Sequence, residues 1–127
     1  MIKTKTAIGK WGEEQAALFL MRIGYRVLER NFYTRHGEID IVAFFYEKNN
    51  SKVISFVEVK TRKQSDGSAE RATNRTKINR LKYSAAVYCR KNNIDVQTVS
   101  ILFEHISVCV IGANTVNISK FILPLNA

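Results

Sequence analysis

Four charged residues sit inside two runs that otherwise read as buried strands. The stretch GEIDIVAFFYEKNNSKVISFVEVKTR, residues 37 to 62, carries Glu38 and Asp40 in its first run and Glu58 and Lys60 in its second. Strand interiors avoid such residues, because a buried charge is costly unless it is paired or coordinated. Residues two apart on a strand share a face, so Glu38 points with Asp40, and Glu58 with Lys60. The polar turn EKNNSK between the runs suits a hairpin. A register in which partner numbers sum to 98 or 100 would bring all four charges to one face, whereas an odd sum separates them unless a bulge intervenes.

Three or four carboxylates around one lysine carry more negative charge than an ion-pair network wants. Hard cations want it: Mg²⁺ or Mn²⁺ takes oxygen ligands, one or two of them protein carboxylates and the rest waters and substrate phosphate oxygens. A lysine beside such a site can orient or deprotonate an attacking water and stabilise charge on the phosphate. The combination suits phosphodiester hydrolysis.

The elements that must position these residues follow from hydrophobic period and turn signals. Residues 9 to 23 read as a first helix stopped by Gly24, and 25 to 33 as a strand. Residues 39 to 46 and 52 to 61 form the hairpin, 64 to 68 a loop, and 70 to 91 a long second helix with Ile78, Leu81, Ala85, Tyr88 and Cys89 at helical spacing. Strands at 96 to 103, 106 to 111 and 116 to 123 complete an α/β order that predicts a mixed β-sheet flanked by helices, one domain over residues 1 to 127. On the first helix, Ala16, Ala17 and Leu20 follow Glu13 at the helical spacing that stacks side chains on one face, so Glu13 sits in the middle of the apolar arc. Glu13 therefore faces the core and can close the charge cluster from the side, while its neighbour Glu14 lies at the edge of the arc, within reach of water.

The chain is basic, net +9, and the excess is concentrated. Residues 60 to 91 hold ten basic and two acidic residues, a net of +8. A polyanionic partner follows, with nucleic acid ahead of a membrane surface because no basic helix with a Trp, Phe or Leu face accompanies the charge. Arg62, Lys63, Arg71, Arg75, Lys77, Arg80 and Lys82 are the candidate phosphate contacts. Lys77 and Lys82 border the apolar arc of the second helix, and Arg80 points to solvent. With no recognition-helix signature and no stacking pair of aromatics, contacts should go to backbone and shape more than to bases. The basic N-terminus leads into no apolar stretch, and the longest uncharged run, residues 106 to 119, is broken by Gly112, Asn114 and Asn117, so neither a signal peptide nor a membrane span is expected. Cys89 and Cys109 have no partners at metal-site spacing and fit a cytoplasmic protein with two ordinary thiols.

An acidic residue followed by Glu-x-Lys on the adjacent strand, here Asp40 and then Glu58-Val59-Lys60, resembles the PD-(D/E)XK nuclease superfamily. The resemblance narrows to the bacterial YraN family, itself similar to Holliday junction resolvases. It rests on Gly12-Glu13 with Ala16, Gly24-Tyr25, Asn31, GEIDIVA, FVEVKTR, and a helix with Lys77, Leu81, Ala85 and Tyr88, covering roughly residues 9 to 90. It implies a restriction-endonuclease-like core in which Asp40 and Glu58 ligate Mg²⁺ or Mn²⁺ with the carbonyl of Val59. It further implies that Lys60 is the catalytic lysine and that Glu13 matches the helix glutamate of resolvase-like members. DNA, branched or otherwise structured, comes ahead of RNA as the substrate, and a homodimer is among the assemblies allowed. Glu38 belongs to the GEID signature as an accessory. After residue 90 the pattern departs: where such proteins carry an Arg-Phe-Asp-Val-like strand, the nearest stretch here is Val99-Ser100-Ile101, with no acid.

Three readings compete: a metal-dependent nuclease, a non-catalytic nucleic-acid-binding module with the same fold, and a structural protein whose charges form an internal ion-pair network. His36, just before GEID, and His105, between two expected strands, read as surface or loop residues, though His36 lies near enough to touch a substrate.

Overall fold

The computed structural model describes residues 5–63, 75–113 and 115–124. Helix α1 spans Ala7–Arg22. Thr6 caps it, its hydroxyl accepting the Gly9 N–H at 3.0 Å. The chain leaves the helix through Gly24, at φ +99°, a left-handed conformation that favours glycine. Strands β1 (Arg26–Thr34), β2 (Gly37–Tyr46) and β3 (Lys52–Lys63) follow, then helix α2 (Arg75–Lys91), β4 (Ser100–Val110) and β5 (Val116–Ile122).

The five strands form one sheet in chain order, antiparallel throughout except for β3 with β4. Parallel neighbours need a long crossover, and α2 lies in it. One apolar cluster joins Ile39, Val42, Phe56 and Phe103 to Leu81, Ala85 and Tyr88 of α2. The other joins Ile41, Ala43, Val57 and Ile106 to Ala16, Ala17 and Leu20 of α1. The sheet is therefore the middle layer, with β3 buried on both faces from Val53 to Val57. A five-stranded mixed sheet with two helices among the described residues is an α/β arrangement consistent with a restriction-endonuclease-like core. No described helix is long and apolar enough to cross a membrane.

The strands after the second helix differ from expectation. The two strands read at 96 to 103 and 106 to 111 are one strand, β4. The charges that interrupt its apolar run, Glu104 and His105, are both buried with polar partners. Residues 96 to 99 are not strand, because Asp95 gathers them into a turn, its carbonyl accepting from the amides of Thr98 and Val99. The second helix is described only from Arg75, so residues 70 to 74 and the loop at 64 to 68 lie outside the described residues.

Gly12 sets how closely α1 approaches β3. A β-carbon at this position would lie 1.7 Å from Thr61 Oγ1 and 2.9 Å from Thr61 Cβ. Gly12→Ala is therefore expected to push the helix off the strand and lower stability by about 1–3 kcal/mol, despite alanine's better helix propensity. Urea unfolding measures it, and an unchanged or raised midpoint would contradict this packing.

Candidate active site

The hairpin register is the one that gathers the charges. β2 and β3 pair from Tyr46–Lys52 to Ile41–Val57, partner numbers summing to 98. Beyond Ile41–Val57 a side chain replaces the ladder: the Val59 N–H donates to Asp40 Oδ2 at 2.7 Å. Asp40 is thereby tied to the residue next to Glu58. The cleft that opens here has a volume of about 370 Å³. Glu13, Glu38, Asp40, Glu58, Val59, Lys60 and Lys77 line it, together with Lys5.

The carboxylates divide into two groups. The Lys5 ammonium pairs with Glu13 Oε2, with Glu38 Oε2 at 2.9 Å and with Asp40 Oδ1 at 3.0 Å. Glu13 is buried, facing inward as its helical position requires, whereas exposed Glu14 turns to Arg30 at 2.7 Å. Glu58 belongs to the second group: its Oε1 takes Lys77 Nζ at 2.9 Å and His105 Nδ1 at 3.1 Å. All four strand charges line this one cleft, with Lys5 touching both Glu38 and Asp40, yet strict alternation does not hold along β2. Ile39 packs in the α2-side cluster and Ile41 in the α1-side cluster, so the alternation switches at Asp40. The β1–β2 ladder keeps one register across this point, Arg30 with Ile41 and Phe32 with Ile39, and Asn31 between them stands at φ +57°.

Burial pushes the Asp40 carboxyl up to about 6, outweighing the help from the Val59 amide and Lys5. Burial likewise opposes charge on Lys5, but its three carboxylate partners hold its pKa above the ordinary lysine value. Burial also acts upward on Glu58, where the hydrogen bonds from His105 and Lys77 more than offset it and the carboxyl lies below its usual range.

Lys60 lines the cleft from β3, half-buried. Arg62 and Lys63 continue that strand, and Arg75, Arg80 and Lys82 are exposed on α2. Arg71 lies outside the described residues. Lys77, which borders the apolar arc of α2, lines the cleft and pairs with Glu58. His36 is exposed in the β1–β2 turn, its ring 4.1 Å from that of Tyr83 on α2. His105 is not a loop residue: it lies within β4, 1% exposed. Lys5 and His105 are the two cleft-group residues the sequence reading missed. Lys5 carried no periodic signal, being outside any element. His105 becomes visible only through the parallel ladder, which pairs it with Glu58.

Among the described residues no three of His, Cys, Asp and Glu converge as a ready-made metal cage. A hard cation does not need one, since one or two carboxylates with a carbonyl and waters suffice. Asp40, Glu58 and Val59 line the cleft together, and carboxylate and carbonyl oxygens are the ligands Mg²⁺ or Mn²⁺ takes, so this donor set suits such an ion; the Lys5 ammonium now pairs with Asp40 Oδ1.

The sequence matches the model of "Uncharacterised protein family UPF0102" over residues 12–108. It is 46% identical to a UPF0102 protein of Syntrophomonas wolfei over 103 residues, covering 76% of this chain and 85% of that one. A UPF0102 protein of Trichlorobacter lovleyi is 41% identical over 93 residues, 72% of this chain and 70% of the relative. One of a Sulfurihydrogenibium species is 41% identical over 91 residues, 71% and 75% of the two chains.

Proposed function

Taking as premise that the chain belongs to the UPF0102 family, we propose that it is a metal-dependent endonuclease of PD-(D/E)XK type acting on branched or otherwise structured DNA. The observation that carries this reading is the lysine ammonium held by Glu13, Glu38 and Asp40 in a cleft that also contains Glu58 and Lys60. Asp40, Glu58 and the Val59 carbonyl would hold Mg²⁺ or Mn²⁺, with Lys5 displaced from Asp40 Oδ1. The ion, when bound, supplies positive charge to the scissile phosphate. Lys60 Nζ orients the attacking water and donates hydrogen bonds to a phosphate oxygen. A water oxygen bonds to phosphorus as the ester P–O bond breaks, one water proton is lost to solvent, and the departing sugar oxygen takes a proton. Glu13 and Glu38 keep Lys5 beside the site while it is away from Asp40.

A second reading, a nucleic-acid-binding module without catalysis, is favoured by a specific feature: Lys5 already compensates Asp40, so the fold does not depend on a metal. Incubation of the protein with duplex, single-stranded, flap and four-way-junction DNA, in Mg²⁺, Mn²⁺ or EDTA, separates the two. Cleavage of a structured substrate that EDTA abolishes supports the nuclease. Binding without cleavage in any metal would leave the module.

Both readings need a phosphate-binding surface, and the exposed Arg75, Arg80, Lys82 and Lys63 are its candidates, joined by Arg62 and Arg71. Affinity for duplex DNA should fall steeply with salt, with a log–log slope of about 0.9 per phosphate neutralised. Arg71→Ala, Arg75→Ala and Arg80→Ala together are expected to weaken binding to all sequences alike and flatten that slope by roughly 2–3. Fluorescence anisotropy across a salt series reads both, and an unchanged slope would put the interface elsewhere.

A further inference from the structure

We propose that His105 is a positioning residue for Glu58: with Lys77 it holds carboxylate oxygen Oε1, so that Oε2 is the oxygen presented to a divalent cation. This rests on the nuclease reading above and adds to it a residue outside the Asp40, Glu58, Lys60 pattern.

Three observations carry it. His105 Nδ1 lies 3.1 Å from Glu58 Oε1, the same oxygen that Lys77 Nζ meets at 2.9 Å. The donors come from different elements, β4 and α2, so together they restrict the torsions of a side chain that is otherwise free to turn. The imidazole itself cannot swing away: it is 1% exposed, sits opposite Glu58 in the parallel ladder, and has the Phe121 ring of β5 on one side, centroids 6.3 Å apart.

A carboxylate only accepts, so Nδ1 must carry the proton, which selects the tautomer. No described residue gives Nε2 a hydrogen bond. A buried histidine with one nitrogen unsatisfied is a poor choice for packing alone; the Nδ1 contact to Glu58 is what the ring gains in this place. Partners that orient a metal-ligating side chain in this way typically matter by about 10–100-fold in affinity or activity when removed.

The test uses the full chain with His105→Leu, which keeps bulk without a donor, and His105→Asn, whose amide N–H reaches the Nδ1 position. Mn²⁺ affinity is measured by electron paramagnetic resonance titration of free Mn²⁺, and kcat and KM on the substrate the parent cleaves best. The expected result for His105→Leu is Mn²⁺ binding weakened roughly 10–100-fold and kcat lowered with KM for DNA unchanged, with His105→Asn recovering most of both. If His105→Leu does not fold, His105→Gln replaces it, since its amide reaches the Nε2 position and should bind Mn²⁺ as poorly as a residue with no donor. Parental Mn²⁺ affinity in the variant lacking the Nδ1 donor, or no recovery with Asn, overturns the proposal. A parent that binds no Mn²⁺ at all would instead overturn the nuclease reading beneath it.

Discussion

Lys60→Ala should lower cleavage by roughly 10³-fold or more, the scale on which removal of a transition-state donor is felt, while metal-free DNA binding stays within a few-fold of the parent. The argument is one of charge at different stages. Lys60 lines the same cleft as Asp40 and Glu58 and projects from the strand that carries Glu58. A bound divalent ion repels its ammonium, so Mn²⁺ affinity should rise slightly when the lysine is removed. The developing negative charge on the phosphate is what the ammonium stabilises, and that interaction exists only in the chemical step. Asp40→Asn should abolish cleavage as completely but for the opposite reason, through weakened Mn²⁺ binding. Single-turnover cleavage beside Mn²⁺ titration distinguishes them. Equal loss of metal affinity in both variants, or full activity in Lys60→Ala, would remove the assigned division of roles.

The second large effect is on stability, and it has an unusual sign for a buried, ion-paired residue. Asp40 has its carboxyl raised to about 6 in the folded chain, against an ordinary value of 3.8. Between those limits the folded state keeps a proton that the unfolded chain has released, so it binds more protons and stability falls as pH rises from about 4 to about 6. Above that window the whole contribution is gone, a difference of about 3 kcal/mol at 1.36 kcal/mol per pKa unit. Asp40→Asn keeps an oxygen to accept the Val59 N–H and leaves Lys5 with Glu13 and Glu38. The variant should therefore be more stable than the parent near neutral pH in EDTA, by about 3 kcal/mol, with the gap closing towards pH 4. Urea unfolding from pH 4 to 8 tests this. Strong destabilisation of Asp40→Asn at pH 7 would mean that the carboxylate is a member of a stabilising ion-pair network, and the structural reading of the charge cluster would stand in place of the nuclease. The stabilising outcome is the familiar trade in which a site is held in a state poor for folding and good for function.

Much of this arrangement was legible in residue order because it depends on local periodicity. Glu13 had to face inward, since Ala16, Ala17 and Leu20 fix the buried arc of α1 on either side of it. The hairpin around EKNNSK and the apolar face of α2 follow from the same kind of pattern, while the even register that brings Asp40 towards Glu58 was one of the alternatives left open. The family, too, was readable from GEID and FVEVKTR, which are short, ordered and specific. What the sequence could not determine depends on contacts between distant segments. Strict alternation would put Ile39 and Ile41 on one face, yet they pack in clusters on opposite sides of the sheet, so the pattern around Asp40 was set by packing. Lys5 belongs to no periodic element, so only the docking of α1 on β3, set by the missing side chain of Gly12, brings its ammonium to three carboxylates. His105 looked like a break between two strands because a charged pair, Glu104-His105, interrupts an apolar run. Tertiary structure gives Glu104 the hydroxyls of Tyr25 and Ser55, both at 2.7 Å, and His105 the carboxylate of Glu58, so the strand continues through them. A residue's period is written in its near neighbours, but the partner that makes a buried charge tolerable lies on another strand, in a register settled only when the sheet and its helices pack together.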